Sequence, residues 1–231
     1  GDEVITVSHT ALATVSAIVS CGATPVLVDI EEDYFSINPL EIELAITSKT
    51  RAIIPVHIYG HAADMTLIME IAKQYNLHVI EDCAQATGAE YNGSLVGSMG
   101  TLGCFSFYPS KIMTSGTGGM VTTNNKKLAA YVESARLFGK CEGSEGKVCI
   151  EGNDWFMDEI RACIGYHQLL DLDENLKSRR KIAERYNQRL SSLSKFSLLK
   201  LKENNMPAYY QYAIILNKDV NRKRLIKAMM S

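Results

Sequence analysis

Residues 52–82 read AIIPVHIYGHAADMTLIMEIAKQYNLHVIED, a pattern that predicts two strands joined by a helix. The apolar run at 52–58 predicts a buried strand, and the apolar periodicity of 64–75 predicts an amphipathic helix with Asp64 as its cap. A second β-rich run follows at 78–81. Two short apolar strands joined by a helix are the unit from which parallel sheets are built.

The same alternation extends to both sides of this stretch. Strands are predicted at residues 4–7, 25–30, 102–107, 120–123, 197–201 and 210–216, and helices at 11–19, 39–46, 126–138, 158–170, 172–193 and near the end of the chain. Residues 139–153 carry glycines among charges and predict an exposed loop. We therefore predict an α/β fold with a mostly parallel central sheet that helices cover on both faces.

The composition is that of an ordinary globular protein. Of 231 residues, 46% are hydrophobic and 22% charged, and the formal net charge of −2 argues against a nucleic-acid partner. No apolar run is long enough to span a bilayer, so we predict no membrane segment. The six cysteines lack a paired metal-ligand spacing, which favours reduced thiols in a cytoplasmic protein without a metal site.

Residues that close strands are the first candidates for a site, because ligands of open parallel sheets bind outside the carboxyl ends of the strands. Asp82 closes the predicted strand at 78–81, and Gln85 follows three residues later. An isolated Asp here would be read equally well as a cap on the following turn. The amide at Gln85 favours a ligand site, because an acid and an amide at one strand end can bind two sides of one ring.

Ser106 lies on the strand predicted at 102–107, and Lys111 comes shortly after the end of that strand. Lys111 alone would be read as a solvated turn lysine, and Ser106 as a residue packed in the sheet. With Asp82 and Gln85, however, they form the set that pyridoxal 5'-phosphate (PLP) requires: an amine for its aldehyde, a carboxylate for its ring nitrogen and a hydroxyl for its phosphate. Residues 114–119 are glycine-rich and allow close backbone approach to a ligand, but their spacing is not that of a nucleotide phosphate loop.

Five blocks of sequence, in order and spacing, resemble the DegT/DnrJ/EryC1/StrS family of PLP-dependent sugar aminotransferases. The similarity is dense from residue 1 to about residue 190. The blocks are Gly1-Asp2-Glu3-Val4-Ile5, Pro55-Val56-His57-Ile58-Tyr59-Gly60, Glu81-Asp82-Cys83-Ala84-Gln85-Ala86, Ser106-Phe107-Tyr108-Pro109-Ser110-Lys111 and Trp155-Phe156-Met157-Asp158-Glu159.

The resemblance implies a fold-type-I architecture. Residues 1–170 are expected to form the PLP-binding large domain, and residues 171–231 a linking helix with the start of a small C-terminal α+β domain. Members of the family are longer at both ends, so we expect this chain to be a piece that lacks an N-terminal segment. The family also implies a homodimer whose active sites are shared between subunits.

The resemblance further implies transfer of an amino group from glutamate to a keto group of a nucleotide-linked deoxysugar. In that reaction Lys111 forms the internal aldimine, and pyridoxamine phosphate is the intermediate. Asp82 would bind the ring nitrogen, Gln85 the 3-hydroxyl group and Ser106 the phosphate. Relatives that dehydrate sugars commonly lack the lysine, so Lys111 favours transamination.

Two departures from the family pattern affect the expected cofactor contacts. Most relatives have an aromatic residue where this chain has Ala11, which leaves His9 as the candidate for stacking on the ring. Relatives also carry an Asn and an Arg where this chain has Asp154 and Phe156. Because a carboxylate repels phosphate, we expect either that Asn153 supplies the contact to the partner subunit's phosphate site after a small shift, or that this contact is lost.

Alternatives remain at this stage. The same scaffold supports PLP- or pyridoxamine-phosphate-dependent sugar dehydration and other PLP chemistry, and a non-catalytic fragment or regulatory relative would retain the pocket without turnover. The basic residues at 177–189 are interpreted as a solvated helix face, with contact to a nucleotide-sugar diphosphate as the second interpretation.

Overall fold

A computed structural model describes residues 1–140, 143 and 146–230. The strands in these residues are β1 (Glu3–Val7), β2 (Thr24–Val28), β3 (Thr50–Ile54), β4 (His78–Asp82), β5 (Glu90–Tyr91), β6 (Ser94–Leu95), β7 (Leu102–Ser106), β8 (Gly119–Thr122), β9 (Phe196–Leu198), β10 (Asn205–Met206) and β11 (Ile214–Leu216). The helices are α1 (Leu12–Ser20), α2 (Pro39–Ala45), α3 (Met65–Gln74), α4 (Lys126–Arg136), α5 (Glu159–Leu170), α6 (Leu172–Leu190) and α7 (Arg222–Met229), with a single 3₁₀ turn at Ile58–Gly60.

The main sheet has six strands in the order β2-β1-β3-β4-β7-β8. The pairings from β2 to β7 are parallel, and β8 pairs antiparallel with β7. The predicted α/β fold with a mostly parallel sheet is therefore confirmed. In the register of the central strands, Ala52 lies beside His78, and Asp82 beside Cys104.

Helices cover the two faces of this sheet because successive crossovers run in opposite directions. The chain leaves β1 toward β2 on one side, whereas β3 leads to β4 on the other, and right-handed crossovers then place α1 opposite α3. Helix α2 packs against α3. The core between these helices and the sheet contains fully buried isoleucines such as Ile42, Ile53 and Ile68, each of which contributes about 1.5–3 kcal/mol through burial.

The predicted cap of α3 is confirmed. Asp64 accepts a hydrogen bond from the backbone N–H of Leu67 at 3.2 Å, which satisfies one of the free donors in the first turn. Asn38, Asp158 and Asn221 cap α2, α5 and α7 in the same way. These polar residues begin their helices at the positions where the sequence changes from extended to helical periodicity.

Several predicted boundaries are wrong. The strand predicted at 52–58 ends at Ile54, because Pro55 has no N–H for the ladder and the chain then turns through Ile58–Gly60. The strand predicted at 210–216 is confined to Ile214–Leu216. The hairpin of β5 and β6, which β10 extends to three strands, was not predicted, since two-residue strands show no periodicity.

The expectation of reduced cysteines holds for four residues and fails for one. Cys21, Cys83, Cys104 and Cys163 are free, whereas Cys149 is disulfide-bonded. Cys141 lies outside the described residues. Lys140 and Val148 form an antiparallel bridge, and sequence spacing alone did not reveal that these two residues are neighbours.

The described part of the predicted loop at 139–153 is mostly exposed, as expected. Across the described ranges of the chain, no helix combines the length and the apolar composition needed to cross a bilayer.

Candidate active site

The candidate site lies at the carboxyl ends of β1, β3, β4 and β7. Strand β1 leads to one side of the sheet and β3 to the other, so the crevice between them is the topological switch point at which α/β sheets bind ligands. His9 follows β1, Tyr59 follows β3, and Asp82 ends β4. Most of the residues proposed from sequence are therefore gathered at one edge by the parallel topology.

Asp82 is held through both of its carboxylate oxygens. Its Oδ2 accepts a hydrogen bond from the Thr14 hydroxyl at 2.8 Å, and its Oδ1 accepts one from the backbone N–H of Ala84 at 3.1 Å. The side chain is only partly buried. Because each carboxylate oxygen accepts up to two hydrogen bonds, Asp82 keeps capacity for a further donor, such as a protonated ring nitrogen.

Gln85 is oriented by the backbone of Tyr59. The Tyr59 N–H donates to Gln85 Oε1 at 2.8 Å, which leaves the amide NH₂ of Gln85 as a donor for a ligand. Tyr59 adopts a left-handed backbone conformation, with φ of 58°, which costs an L-residue roughly 1–2 kcal/mol. Such strain is common at functional sites, and here it directs the N–H toward Gln85.

His9 is fixed by aromatic neighbours. Its Nε2 lies 3.0 Å from the Tyr59 hydroxyl, and its ring meets the rings of Tyr59 and Phe35 edge-on, with centroids 5.6 Å and 5.8 Å away. His9 is partly buried at the end of β1. The ring therefore has a defined orientation at the switch point, and its stacking on a cofactor stays a prediction.

Lys111 lies in the turn that follows β7, where its N–H donates to the carbonyl oxygen of Tyr108. Its Nζ lies over the ring of Tyr210, 5.1 Å from the centroid, and the Tyr210 hydroxyl lies 3.2 Å from Ser110 Oγ. No carboxylate of the described residues forms an ion pair with Lys111. The amine is thus held by an aromatic face and stays available to another group.

Gly60 links the surroundings of Lys111 to those of Gln85. A Cβ at Gly60 would lie 2.7 Å from the backbone nitrogen of Tyr210 and 3.1 Å from the Gln85 carbonyl oxygen. Only glycine permits this close approach, and its φ of 89° is also a glycine conformation. Tyr210, which contacts Lys111, is therefore packed directly against the loop that orients Gln85.

Ser106 is the last residue of β7 and is partly buried. From the strand register, which pairs Asp82 with Cys104, the Cα atoms of Ser106 and Asp82 lie about 8 Å apart. Its Oγ is 3.4 Å from the backbone nitrogen of Tyr108, a long hydrogen bond that leaves the hydroxyl able to donate elsewhere. At about 8 Å from each other, Ser106 and Asp82 can contact opposite ends of one cofactor.

Packing within the chain explains why two positions near Lys111 are glycines, and no ligand is needed for this explanation. A Cβ at Gly118 would approach Met157 Cε at 2.6 Å, and one at Gly119 would approach the Phe105 carbonyl oxygen at 2.5 Å. The interpretation that this segment is glycine-rich to admit a ligand is therefore not needed for these two positions.

Asn153 is exposed and lies apart from the other candidates, beyond α4. Its backbone exchanges hydrogen bonds with Phe138 and Ala135, and its Oδ1 accepts one from the N–H of Asp154. The ring of Phe156, the second departure, lies under the Arg136 guanidinium at 5.7 Å. None of these contacts of Asn153 is with Asp82, Gln85 or Lys111, and its contact in the partner subunit stays a prediction.

The buried pair of His57 and Glu81 lies behind the site and was not predicted as a pair. Glu81 accepts hydrogen bonds from His57 Nε2 at 3.0 Å and from the backbone N–H groups of Gly97, Met99 and Gly100. Burial raises the pKa of Glu81, but these donors outweigh it and leave the pKa below its usual value. Glu81 is thus an ionised acid inside the core.

His57, Glu81 and Cys83 place their ligand atoms within 4.8 Å of one another, a spacing that a metal ion could use. His57 Nδ1, however, already accepts the N–H of Ala63, and Glu81 is fully hydrogen-bonded. Burial also raises the pKa of the Cys83 thiol, which keeps it protonated. The cluster is therefore explained as a structural network that orders the loop after β6.

The basic residues at 177–189 are not all solvated. Arg179 donates to the carbonyl oxygen of Tyr209, and Arg180 donates to those of Pro207 and Gly88. These bonds join α6 to the segment that carries Tyr210. The prediction of a fully solvated helix face is wrong for these two arginines, because their side chains reach backbone carbonyls that lie distant in sequence.

The donor set fits PLP. A carboxylate at Asp82, an amide NH₂ at Gln85, a hydroxyl at Ser106 and an amine at Lys111 match the ring nitrogen, 3-hydroxyl, phosphate and aldehyde of that cofactor. Two further residues, Thr14 and Tyr210, were missed from the sequence. Thr14 stands as a polar residue on the buried side of an apolar helix, which was a usable signal, whereas Tyr210 lies 100 residues from Ser110 and gave none.

Comparison with solved structures defines the class of protein. The fold matches the crystal structure of DesV from S. venezuelae in complex with a ketimine intermediate, with a TM-score of 0.93 and 35% sequence identity, over 99% of this chain and 61% of that one. The fold is thus that of the fold-type-I aminotransferases. The model of the DegT/DnrJ/EryC1/StrS aminotransferase family matches residues 1–231, and the chain belongs to this family.

Curated relatives agree with this assignment. A GDP-perosamine synthase from Caulobacter vibrioides is 44% identical, over 84% of this chain and 52% of that protein. A dTDP-3-amino-3,4,6-trideoxy-alpha-D-glucose transaminase from Micromonospora megalomicea subsp. nigra is 38% identical, over 92% of this chain and 58% of that protein. The chain therefore spans between half and two thirds of the length of these relatives.

Proposed function

We propose that this chain carries the PLP-binding part of an aminotransferase that moves an amino group from glutamate to a keto group of a nucleotide-linked deoxysugar. The observation that carries the proposal is that Asp82 and Ser106 end neighbouring parallel strands, with Gln85 three residues after Asp82 and Lys111 in the turn after Ser106. The relatives named for GDP- and dTDP-linked sugars support the substrate class.

PLP, when bound, supplies an aldehyde that bonds covalently to an amine and a ring that withdraws electrons from that bond. Asp82 would hold the proton on the ring nitrogen and so maintain this withdrawal. The NH₂ of Gln85 would donate to the 3-oxygen, and Ser106 would donate to the phosphate. These contacts fix the ring on three sides.

Lys111 would form the covalent bond to the aldehyde and, once an incoming amine displaces it, carry the proton between the amine-bearing carbon and the cofactor's C4′ carbon. In the first half of the reaction glutamate would leave its nitrogen on the bound cofactor and depart as its oxo acid. The keto sugar accepts the amino group in the second half and leaves as the amino sugar nucleotide.

We also propose that residues 1–170 form the large domain and residues 171–231 the linking helix with part of the small domain. The active unit would be a homodimer in the cytoplasm, with Asn153 reaching the partner subunit's phosphate site and His9 stacking on the ring.

The experiment that tests the function is a titration of the purified protein with PLP, followed by glutamate. We expect a visible absorbance band on PLP binding and its loss when glutamate is added. In Lys111→Ala glutamate can still bond to the PLP aldehyde, but the proton carrier is absent, so the cofactor should not be converted to its amine form. A wild-type protein that takes up no PLP, or whose spectrum glutamate leaves unchanged, would refute the proposal.

A further inference from the structure

We propose that Thr14 is a positioning residue for the cofactor, acting through Asp82. This inference rests on the proposed function and deepens it. Thr14 lies on the buried side of α1, and only 6% of its surface is exposed. Its hydroxyl donates to Asp82 Oδ2 at 2.8 Å.

The direction of the hydrogen bonds follows from the chemistry of the groups. Thr10 Oγ1 lies 2.7 Å from Thr14 Oγ1, and distance alone does not say which hydroxyl donates. An ionised carboxylate only accepts hydrogen bonds, so the single proton of Thr14 is committed to Asp82. Thr10 must therefore donate to Thr14, and the two hydroxyls form a directed chain that ends at the carboxylate.

This chain fixes the carboxylate in one rotamer. The Thr14 bond holds Oδ2 while the Ala84 N–H holds Oδ1, so the plane of the carboxylate cannot rotate without breaking a charge-assisted hydrogen bond. The lone pairs that remain on the two oxygens then have a set direction. A ring nitrogen that bonds to them meets an acceptor that is already ordered.

Thr14 also explains how α1 contributes to a site to which it offers no charged group. The helix contains no acidic or basic residue in its terminal turns. Its contribution is one hydroxyl, which donates to Asp82 Oδ2. Loss of this hydroxyl would leave Asp82 free to turn toward solvent, since the carboxylate is only partly buried.

The test compares Thr14→Val, which removes the hydroxyl but keeps the shape, with Thr14→Ser, which keeps the hydroxyl. The readouts are the PLP dissociation constant and the pH dependence of the absorbance of the bound cofactor. We expect Thr14→Val to weaken PLP binding about 10-fold, as loss of a hydrogen bond to a charged group predicts, and to displace the pH curve. Thr14→Ser should stay within about 3-fold of the wild type.

Thr6→Val is the matched control. Thr6 is fully buried in the same sheet, and its hydroxyl donates at 2.8 Å to the Ile54 carbonyl oxygen instead of to Asp82. The control should lower thermal stability without changing the PLP dissociation constant or the absorbance curve. If Thr14→Val binds PLP like the wild type, or if Thr6→Val matches its defect, the positioning role is refuted.

The outcomes separate this inference from the proposed function. A wild-type protein that fails to bind PLP contradicts the function itself. A wild-type protein that binds PLP, together with an unaltered Thr14→Val, contradicts only the role of Thr14. Thr10→Val should give a smaller loss than Thr14→Val, about 2-fold, because Thr14 still donates to Asp82.

Discussion

At the scale of single residues, Glu81 shows how a charge is kept inside this core. Its two oxygens accept three backbone N–H groups and the N–H of His57, and both side chains are fully buried. Each donor offsets part of the cost of removing the charge from water. The backbone donors belong to Gly97, Met99 and Gly100, so the acid also fixes the chain between β6 and β7.

We predict that Glu81→Gln destabilises the protein by about 3–5 kcal/mol, because the new NH₂ group faces backbone donors that then lack an acceptor. Urea unfolding at pH 7 measures this loss. Glu70→Gln makes the same chemical change at an exposed position of α3 and should alter stability by less than about 0.5 kcal/mol. Equal effects of the two substitutions would contradict the role of Glu81.

The pH dependence of Glu81 follows from its lowered pKa. Its stabilisation is present above the usual carboxylate pKa and is lost as pH falls through the lower, folded value. His61 affects stability at a higher pH than Glu81 does. Burial lowers the pKa of His61 from 6.5 to about 4, so the unfolded chain binds its proton first as the solution is acidified.

We predict that His61 makes the protein lose on the order of 3 kcal/mol of stability between pH 6.5 and pH 4. His61→Phe should remove this part of the slope, since His61 Nε2 has no hydrogen-bond partner to lose. His78→Phe, at an exposed position, is the control and should keep the slope. Urea unfolding at a series of pH values measures all three, and an unchanged slope in His61→Phe would contradict the assignment.

At the scale of elements, Lys202 connects the segment between β9 and β10 to acidic residues beside the main sheet. Its Nζ lies 2.8 Å from Glu31 Oε2 and 3.1 Å from Asp64 Oδ2, and all three side chains are largely buried. Burial raises the pKa of Asp64, but hydrogen bonds from Leu67, Lys202 and Tyr91 lower it overall. This ion cluster joins elements that lie far apart in sequence.

We predict that Lys202→Met lowers stability by about 3 kcal/mol, because two carboxylates then face each other without a cation. Lys200→Met is the control. Lys200 pairs with Asp33 at 2.8 Å, but both side chains are more than half exposed, so its loss should cost much less than the loss of Lys202. Thermal or urea unfolding of both variants is the measurement, and equal losses would show that the buried cluster has no special role.

The secondary-structure elements also show how much of the fold could be predicted from the sequence. The apolar periodicity of α3 and the Asp64 cap are local signals, and so is the polar residue at the end of β4, which led to Asp82. The hairpin of β5 and β6 is too short for a periodic signal. The contact of Tyr210 with Lys111 depends on tertiary packing around Gly60, which no local pattern encodes.

At the scale of the whole molecule, α5 presents apolar side chains to solvent. Ile160 is 76% exposed, and Trp155, just before the helix, is 66% exposed. Gly165 is the only buried residue of α5. Such exposed apolar side chains are typical of surfaces that a second chain covers, in agreement with the proposed homodimer.

We predict that the protein has the mass of a dimer in solution and that Ile160→Lys shifts it toward the monomer. Leu44→Lys is the control, because Leu44 is 81% exposed on α2, which packs against α3 and β2, whereas α5 packs against α6. Light scattering coupled to size-exclusion chromatography gives the masses. A wild-type monomer at all concentrations would contradict the prediction.

In the proposed function, Lys111 is the amine that bonds to PLP. Borohydride reduction of the PLP-loaded protein makes this bond permanent, and peptide mass spectrometry then locates the modified lysine. We predict the cofactor on Lys111, with no specific modification in Lys111→Ala. Stoichiometric modification of another lysine, with Lys111 unmodified, would contradict the account.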